Sequence, residues 1–222
     1  VVSWNARGVS FEGVTFDARS HRLVVVDQPG GPGSQFSTAA QAARSVGGIA
    51  AVNAGFFTPA GEPLGLVVSR GKPAGHWNGG SSLGTGVWHE TTAGQARITR
   101  REALGASAAR RTTELLQSGP MLVESGNPVG GLHGGEPRPR TLIAWDGGHR
   151  WWIGCTAPCT MPDLAAALAA GSGPGFPVRT ALNLDGGRSS ELWAGDAVTG
   201  GPRTLRPMWN RAVRNHLVLV RR

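Results

Sequence analysis

The chain has 222 residues, 40% of them hydrophobic, and a formal net charge of +8. That is enough apolar material for one sizeable core, and no run approaches the roughly 20 apolar residues of a membrane-crossing helix. The charge is almost wholly arginine, with Lys72 the single lysine, and the arginines are scattered apart from pairs at Arg100-Arg101, Arg110-Arg111 and Arg221-Arg222.

Without a dense basic stripe or a recognisable module, this basicity argues against nucleic-acid binding and suits an anionic substrate or envelope polymer. Counts of 35 glycines and 15 prolines favour many short elements joined by turns over long helices. The start, Val1-Val2-Ser3-Trp4, has neither the pattern of a signal peptide nor that of a natural initiation site, so a removed leader is expected. Cys155 and Cys159 have no nearby histidine to complete a zinc site. Their spacing permits a disulfide closing a small loop, the form expected in an oxidising compartment.

Taken in order, residues 9–16 alternate as a strand and residues 21–27 carry the apolar run Leu23-Val24-Val25-Val26. Pro29-Gly30-Gly31-Pro32-Gly33 breaks the pattern, and a short helix is predicted over 37–44 with Ser37 as N-cap. A buried strand, 49–52, runs into Asn53-Ala54-Gly55-Phe56-Phe57, which is either a pocket wall or a turn over the core. Glu62 and Arg70 flank a short strand. Residues 76–117 carry a Gly/Ser loop, strand-like pieces and a predicted helical patch at 112–117. Ser118-Gly119-Pro120 opens the strand Met121-Leu122-Val123, and 124–139 is a long Gly/Pro-rich loop bearing Glu124, His133 and Glu136. Residues 141–154 form a hairpin around Gly147-Gly148. A helix over 161–171 follows from Pro162 in its first turn, Asp163 on its N-terminal dipole and Gly171 as its stop. The chain closes on a strand over 211–220. The expectation is an α+β fold: a single strand-rich domain over 1–222, with mixed or antiparallel sheets and a few short helices.

The most informative stretch is 181–193. Leu182 and Leu184 alternate with Asn183 and Asp185, and the strand ends at Gly186-Gly187, followed by Arg188, Ser189 and Ser190. An aspartate leaving a strand into a Gly-Gly turn fixes a carboxylate on a rigid element beside free backbone N–H groups. The alternative is an Asp-Gly hairpin turn.

In sequence order, Asn53-Ala54-Gly55-Phe56-Phe57, Leu64-Gly65-Leu66-Val67-Val68-Ser69, Ser118-Gly119-Pro120, Arg140-Thr141, Asn183-Leu184-Asp185-Gly186-Gly187 with Ser189-Ser190, and Asn215-His216-Leu217 together resemble the phosphodiester glycosidase family. The resemblance runs from about Asn53 to the C-terminus. One departure is Arg188, where the family usually has a third glycine. The resemblance implies hydrolysis of a sugar-1-phosphodiester at its glycosidic bond, giving free sugar and a phosphomonoester. A non-catalytic domain that binds a glycan or envelope polymer is the alternative.

Such a reaction needs a negative charge at the anomeric carbon and a site for the phosphate leaving group. Asp185 is the expected catalytic carboxylate and Glu62 its partner acid or base. Arg140, always charged and able to fork onto two oxygens, is the expected phosphate clamp. Gly186, Gly187, Ser189 and Ser190 would supply neutral donors, and Asn53 and Asn183 would bond sugar hydroxyls. His216 joins the substrate-binding set through the resemblance, although an apolar strand more often holds a core histidine. Trp193 and Trp209 could stack on a sugar face, although the eight tryptophans of a chain without tyrosine are mostly core or surface filler. No HExxH, EF-hand or Cys/His cluster appears, so neither a metal nor another cofactor is expected. The expected partner is an anionic glycan or sugar phosphate, with no nucleic acid and no membrane span, and the expected location is periplasmic or secreted.

Overall fold

The computed structural model describes residues 1–109, 111–171 and 173–222, so Arg110 of the second arginine pair lies outside the described residues. Three antiparallel sheets carry the chain. The first has seven strands in the spatial order Val2–Ala6, Val9–Asp17, Arg150–Thr156, Thr141–Trp145, Thr180–Asn183, Met121–Glu124 and Asn127–Pro128. The second runs Arg203–Leu205, Leu192–Ala194, Ala50–Asn53, Asn215–Arg221 and His21–Asp27. The third runs Lys72–Ala74, Val67–Ser69, Glu114–Ser118, Gly86–Glu90 and Ala96–Arg100. Four short helices are the only α-helices among the described residues, so strands dominate the α+β composition.

Strand alternation explains how these sheets share one core. Phe16, Ile143, Ile153 and Leu182 of the first sheet, Val25, Val52 and Leu217 of the second, and Val67, Trp88 and Leu116 of the third pack in one cluster. Their sequence neighbours point outward into separate clusters. Leu142, Ala144 and Trp152 meet Leu164 and Leu168 of the helix Met161–Ala169. Val24, Val26 and Val218 meet Ala39, Ala42 and Ala43 of the helix Ala39–Ser45. Each helix therefore covers the face of a sheet turned away from the shared core.

The predicted hairpin over 141–154 is present, Thr141 pairing with Cys155 and Trp145 with Trp151. The first helix starts later than predicted: Thr38, not Ser37, accepts the Gln41 N–H as N-cap. Residues 112–117 are not helical. Glu114–Ser118 is a fully buried central strand paired with Val67–Ser69 and Gly86–Glu90, and that pairing overrides local helix preference; the Glu114 carboxylate accepts backbone N–H groups from Val25 (2.7 Å) and Arg70 (3.1 Å). The expected disulfide is also absent, and both thiols are free. Cys155 lies in the shared core while Cys159 packs with the helix-covered face of the first sheet. The side chains thus serve opposite faces. Burial pushes the Cys155 thiol up to about 12, which makes it inert.

Trp152 is the largest fully buried side chain on the helix-covered face, and it lies across the paired glycines Gly13 and Gly154. A Cβ at Gly13 would stand 2.2 Å from the Ile153 carbonyl oxygen and 2.5 Å from the indole. Gly13→Ala is therefore expected to cost about 2–3 kcal/mol, seen as a lower urea midpoint with an unchanged slope; unaltered stability would show that both the ring and the paired backbone have room to move.

Candidate functional site

The site forms where ends of the first and second sheets meet. Asn53 closes the strand Ala50–Asn53, and its fully buried carboxamide serves both sheets. Its Oδ1 accepts from the Thr141 hydroxyl (2.7 Å) and the Glu191 N–H (2.9 Å), and its Nδ2 donates to the Asp185 carbonyl (2.6 Å). The Asp185 N–H donates to the Ala54 carbonyl at 2.9 Å. Asn183 donates from Nδ2 to the carbonyls of Gly119 (2.9 Å) and Leu184 (2.7 Å). Asn215 accepts the Gly55 N–H on Oδ1 at 2.7 Å. Asn53 and Asn183, expected to face a sugar, instead hold backbone: at 0% and 1% exposure neither amide is free to reach solvent.

These bonds fix Asp185, which leaves the strand Thr180–Asn183 not into a hairpin but into a turn of 3-10 helix, Gly187–Ser189. Gly187 needs its φ of +60° to make that turn. Gly186 lies so close to Pro139 and Arg140 that a Cβ would stand 2.9 Å from the Pro139 carbonyl oxygen. The Asp185 side chain is about one-tenth exposed. Burial raises its pKa; the Ser189 hydroxyl, the Arg211 charge and the Gly186 N–H oppose that rise.

Arg211 is the residue that sequence reasoning missed. Its Nη2 stands 4.0 Å from the Asp185 carboxylate, its Nε donates to the Ser189 hydroxyl at 3.3 Å, and its guanidinium lies 4.8 Å from the centroid of the Phe57 ring. Ser190 is buried with its hydroxyl inside the protein. Arg140 runs alongside Gly186 and donates from Nε to the Cys159 carbonyl (3.2 Å) and from Nη2 to the Glu136 carbonyl (3.4 Å). Burial lowers its pKa from a very high ordinary value, so it stays charged. Unlike Arg100, paired with Glu124, and Arg138, paired with Glu136, Arg140 has no carboxylate within 4.0 Å among the described residues. Glu62 is placed elsewhere: its side chain is 70% exposed and its ionic neighbour is Arg214, at 3.9 Å.

Two clefts adjoin this turn. One, of about 650 Å³, is lined by Asn5, Phe11, Glu12, Pro139, Ser190 and Arg206. The other, of about 670 Å³, is lined by Arg100, Met121, His133, Arg138, Arg140 and Met161. Asp185 lines neither, but its neighbours Pro139 and Ser190 reach the first and Arg140 the second. Among the described residues no three His, Cys, Asp or Glu side chains gather as a metal site would require.

His216 pairs with Val26 and Asn53 across the second sheet, so its side chain shares the face of the Asn53 amide, and Val218 and Val220 continue that face onto the helix Ala39–Ser45. It is 1% exposed, and neither ring nitrogen has a hydrogen-bond partner among the described residues. Trp193 also faces that helix, with Arg44 over its ring at 5.6 Å, whereas Trp209 is 62% exposed.

A profile of the family described as phosphodiester glycosidase matches residues 46–220. No curated protein matches the sequence. Three solved structures share the fold at low identity. The catalytic domain of zebrafish N-acetylglucosamine-1-phosphodiester alpha-N-acetylglucosaminidase, auto-inhibited by its pro-peptide, aligns at 17% identity and a TM-score of 0.65, covering 96% of this chain and 78% of that one. A hypothetical protein from Synechocystis aligns at 17% identity and 0.63, covering 99% and 61%. A Burkholderia pseudomallei protein designated as exported aligns at 16% and 0.61, covering 96% and 73%.

Burial without a partner holds the His216 pKa down at about 4, against 6.5 unfolded. The unfolded chain then binds a proton that the folded chain refuses, so stability is full above about pH 6.5 and falls as pH drops toward 4. The expected loss from this one residue is about 3 kcal/mol. His216→Leu should remove that part of the slope in urea melts between pH 7 and 4.5; equal slopes in the two proteins would place the imidazole in contact with water.

Proposed function

We propose that this chain, which belongs to the phosphodiester glycosidase family, hydrolyses a sugar-1-phosphodiester at the glycosidic bond, releasing free sugar and a phosphomonoester. The observation that carries the proposal is a nearly buried carboxylate, Asp185, held on a rigid strand end with one guanidinium at its side and a second, uncompensated one beside the following glycine. In this reading water supplies hydroxide to the anomeric carbon and a proton to the phosphate oxygen that departs. Phosphate is already a good leaving group, so the protein's main tasks are charge stabilisation and positioning.

Asp185 sets its negative charge against the oxocarbenium-like carbon, with Arg211 keeping the carboxylate ionised and oriented. Arg140 draws the phosphate, assisted by Arg211. The Gly186–Gly187 backbone lets the substrate approach closely, and Ser189 fixes the Asp185–Arg211 geometry. The two asparagines act through the backbone they hold rather than through sugar contacts, and the buried Ser190 hydroxyl has no hydrogen-bond partner among the described residues. Glu62, exposed and beside Arg214 rather than Asp185, is given no part in this step. Export fits this reading through the likeness to the Burkholderia protein, and the charge of +8 fits an anionic substrate.

Asp185→Asn keeps the shape of the turn and removes the charge. Turnover of a sugar-1-phosphodiester is expected to fall by about a hundredfold or more, while the thermal midpoint holds or rises because a desolvated charge is gone. An active but less stable variant would reduce Asp185 to a turn residue. Arg140→Lys should cost about 1–3 kcal/mol of transition-state stabilisation through loss of the fork; full activity would return Arg140 to a structural role. Wild-type protein that binds such esters without cleaving them would establish the glycan-binding alternative.

A further inference from the structure

The strand Val2–Ala6 is the outermost of the first sheet and is paired on one side only. The turn that joins it to Val9–Asp17 decides which of its backbone groups are left over. Arg7 and Gly8 have φ of +48° and +80°, a two-residue turn whose flanking residues, Ala6 and Val9, exchange both of their hydrogen bonds. Along an antiparallel pair such residues alternate with ones that face outward. Trp4 therefore bonds Phe11 and Val2 bonds Gly13, while Ser3 and Asn5 turn their N–H and C=O groups away from the sheet. The neighbouring strand has the matching phase: the Ser10 carbonyl points away from Val2–Ala6 and accepts the Ala157 N–H at 3.0 Å. No second strand pairs with Ser3 or Asn5 among the described residues.

This free edge is a wall of the cleft of about 650 Å³. Ser3, Trp4 and Asn5 line it consecutively, which side chains pointing to alternate faces cannot do alone, so the strand's edge runs along the cleft. Facing it, Leu205-Arg206-Pro207 continue from Arg203–Leu205, the outermost strand of the second sheet. The slot thus lies between two sheet edges. Its lining reaches Cys155, 5% exposed, and Ser190, whose buried hydroxyl has no hydrogen-bond partner among the described residues. The charges that line it are committed: Glu12 accepts twice from Arg203, and Arg206 donates to Asn210 Oδ1 (3.0 Å) and the Ser37 carbonyl (3.2 Å).

Donors and acceptors repeating at every second residue are matched by another extended backbone, which presents its own at the same spacing. With no uncommitted charge in the lining, that backbone carries uncharged side chains. The slot admits one chain of a few residues and not the whole sheet that stands behind the edge of a second copy. We propose that the edge Val2–Ala6 takes up an extended peptide with small uncharged side chains, which adds an eighth strand to the seven-stranded sheet. The peptide then lies beside Pro139, whose carbonyl accepts the Gly187 N–H at 2.8 Å, so it borders the Asp185 turn without being a substrate of it.

Amide hydrogen exchange, followed residue by residue by NMR on the full chain, tests this with the blocked peptide acetyl-Thr-Val-Thr-Val-Thr-amide. In the free protein Ser3 and Asn5 should exchange at least about tenfold faster than Trp4, and millimolar peptide should slow those two by about tenfold or more while Trp4 holds. The same peptide with every amide N-methylated should protect neither. Asn5→Pro removes an outward N–H and keeps every hairpin bond, so it should retain the thermal midpoint and bind the peptide about tenfold more weakly; the N-methylated control uses the wild type and does not depend on that variant folding. Ser3 and Asn5 already protected in dilute free protein, no protection by millimolar peptide, or equal protection by the N-methylated form overturns the proposal. So does protection that grows with protein concentration alone, which would make the occupant a second copy, or equal protection by N-hexylacetamide, which would make the slot a small-molecule site.

Discussion

The Asn53 carboxamide is the joint on which the rest of this site depends. Where a strand stops, its backbone groups lose the neighbours that satisfied them, and a buried strand end must find replacements. Here two sheets end against each other, so backbone groups from both sides compete for the same small volume. An amide is suited to the task because it combines a two-lone-pair acceptor with two donors and carries no charge. Asn53 uses the acceptor for Thr141 of the first sheet and Glu191 near the second, and a donor for Asp185. An aspartate would lose the donor and bury a charge, and a leucine would lose every bond.

Asn183 and Asn215 repeat the device at two other strand ends, and the consequence is precision at Asp185. Its N–H is tied to Ala54, its carbonyl to Asn53, and the N–H of the preceding Leu184 to Thr141. With the backbone fixed on both sides, the carboxylate has little freedom, so its position against Arg211 is set before any ligand arrives. Such preorganisation is where a site gains most of its advantage over water.

Much of the fold was legible because strand patterns are local: 9–16 declares itself by alternation, and 21–27 and the hairpin at 141–154 by short apolar runs of Val, Ile, Leu and Trp bounded by turn residues. The third sheet was less so, since Glu114-Leu115-Leu116-Gln117 carries helix-favouring residues and becomes a strand through pairing with Val67–Ser69 and Gly86–Glu90, partners distant in sequence. Within the site, the Asp185–Gly187 turn was visible as a carboxylate entering two glycines. The inward role of Asn53 and Asn183 was not, because alternation tells which residues share a face but not whether that face meets solvent or another sheet. Arg211 gave no signal at all: one arginine among many acquires meaning only when the C-terminal loop returns to the strand end.

The same return explains why the charge excess has local rather than global meaning. Several arginines are spent on structure: Arg19 on Asp17, Arg100 on Glu124, Arg203 on Glu12 and Arg214 on Asp27. Arg140 and Arg188, by contrast, have no carboxylate within 4.0 Å among the described residues, and Arg211 shares the single charge of Asp185 across 4.0 Å. Burial around Asp185 both raises its pKa and weakens screening, so the nearby guanidiniums act on it and on any incoming anion more strongly than exposed charges would. A cation placed there must meet two demands at once: hold the carboxylate ionised and leave donors for a ligand. Arginine meets both because its fork has five N–H groups in one plane, whereas lysine would commit its compact charge to one partner. The predominance of arginine in this chain is therefore of direct use at this strand end, whatever its origin elsewhere.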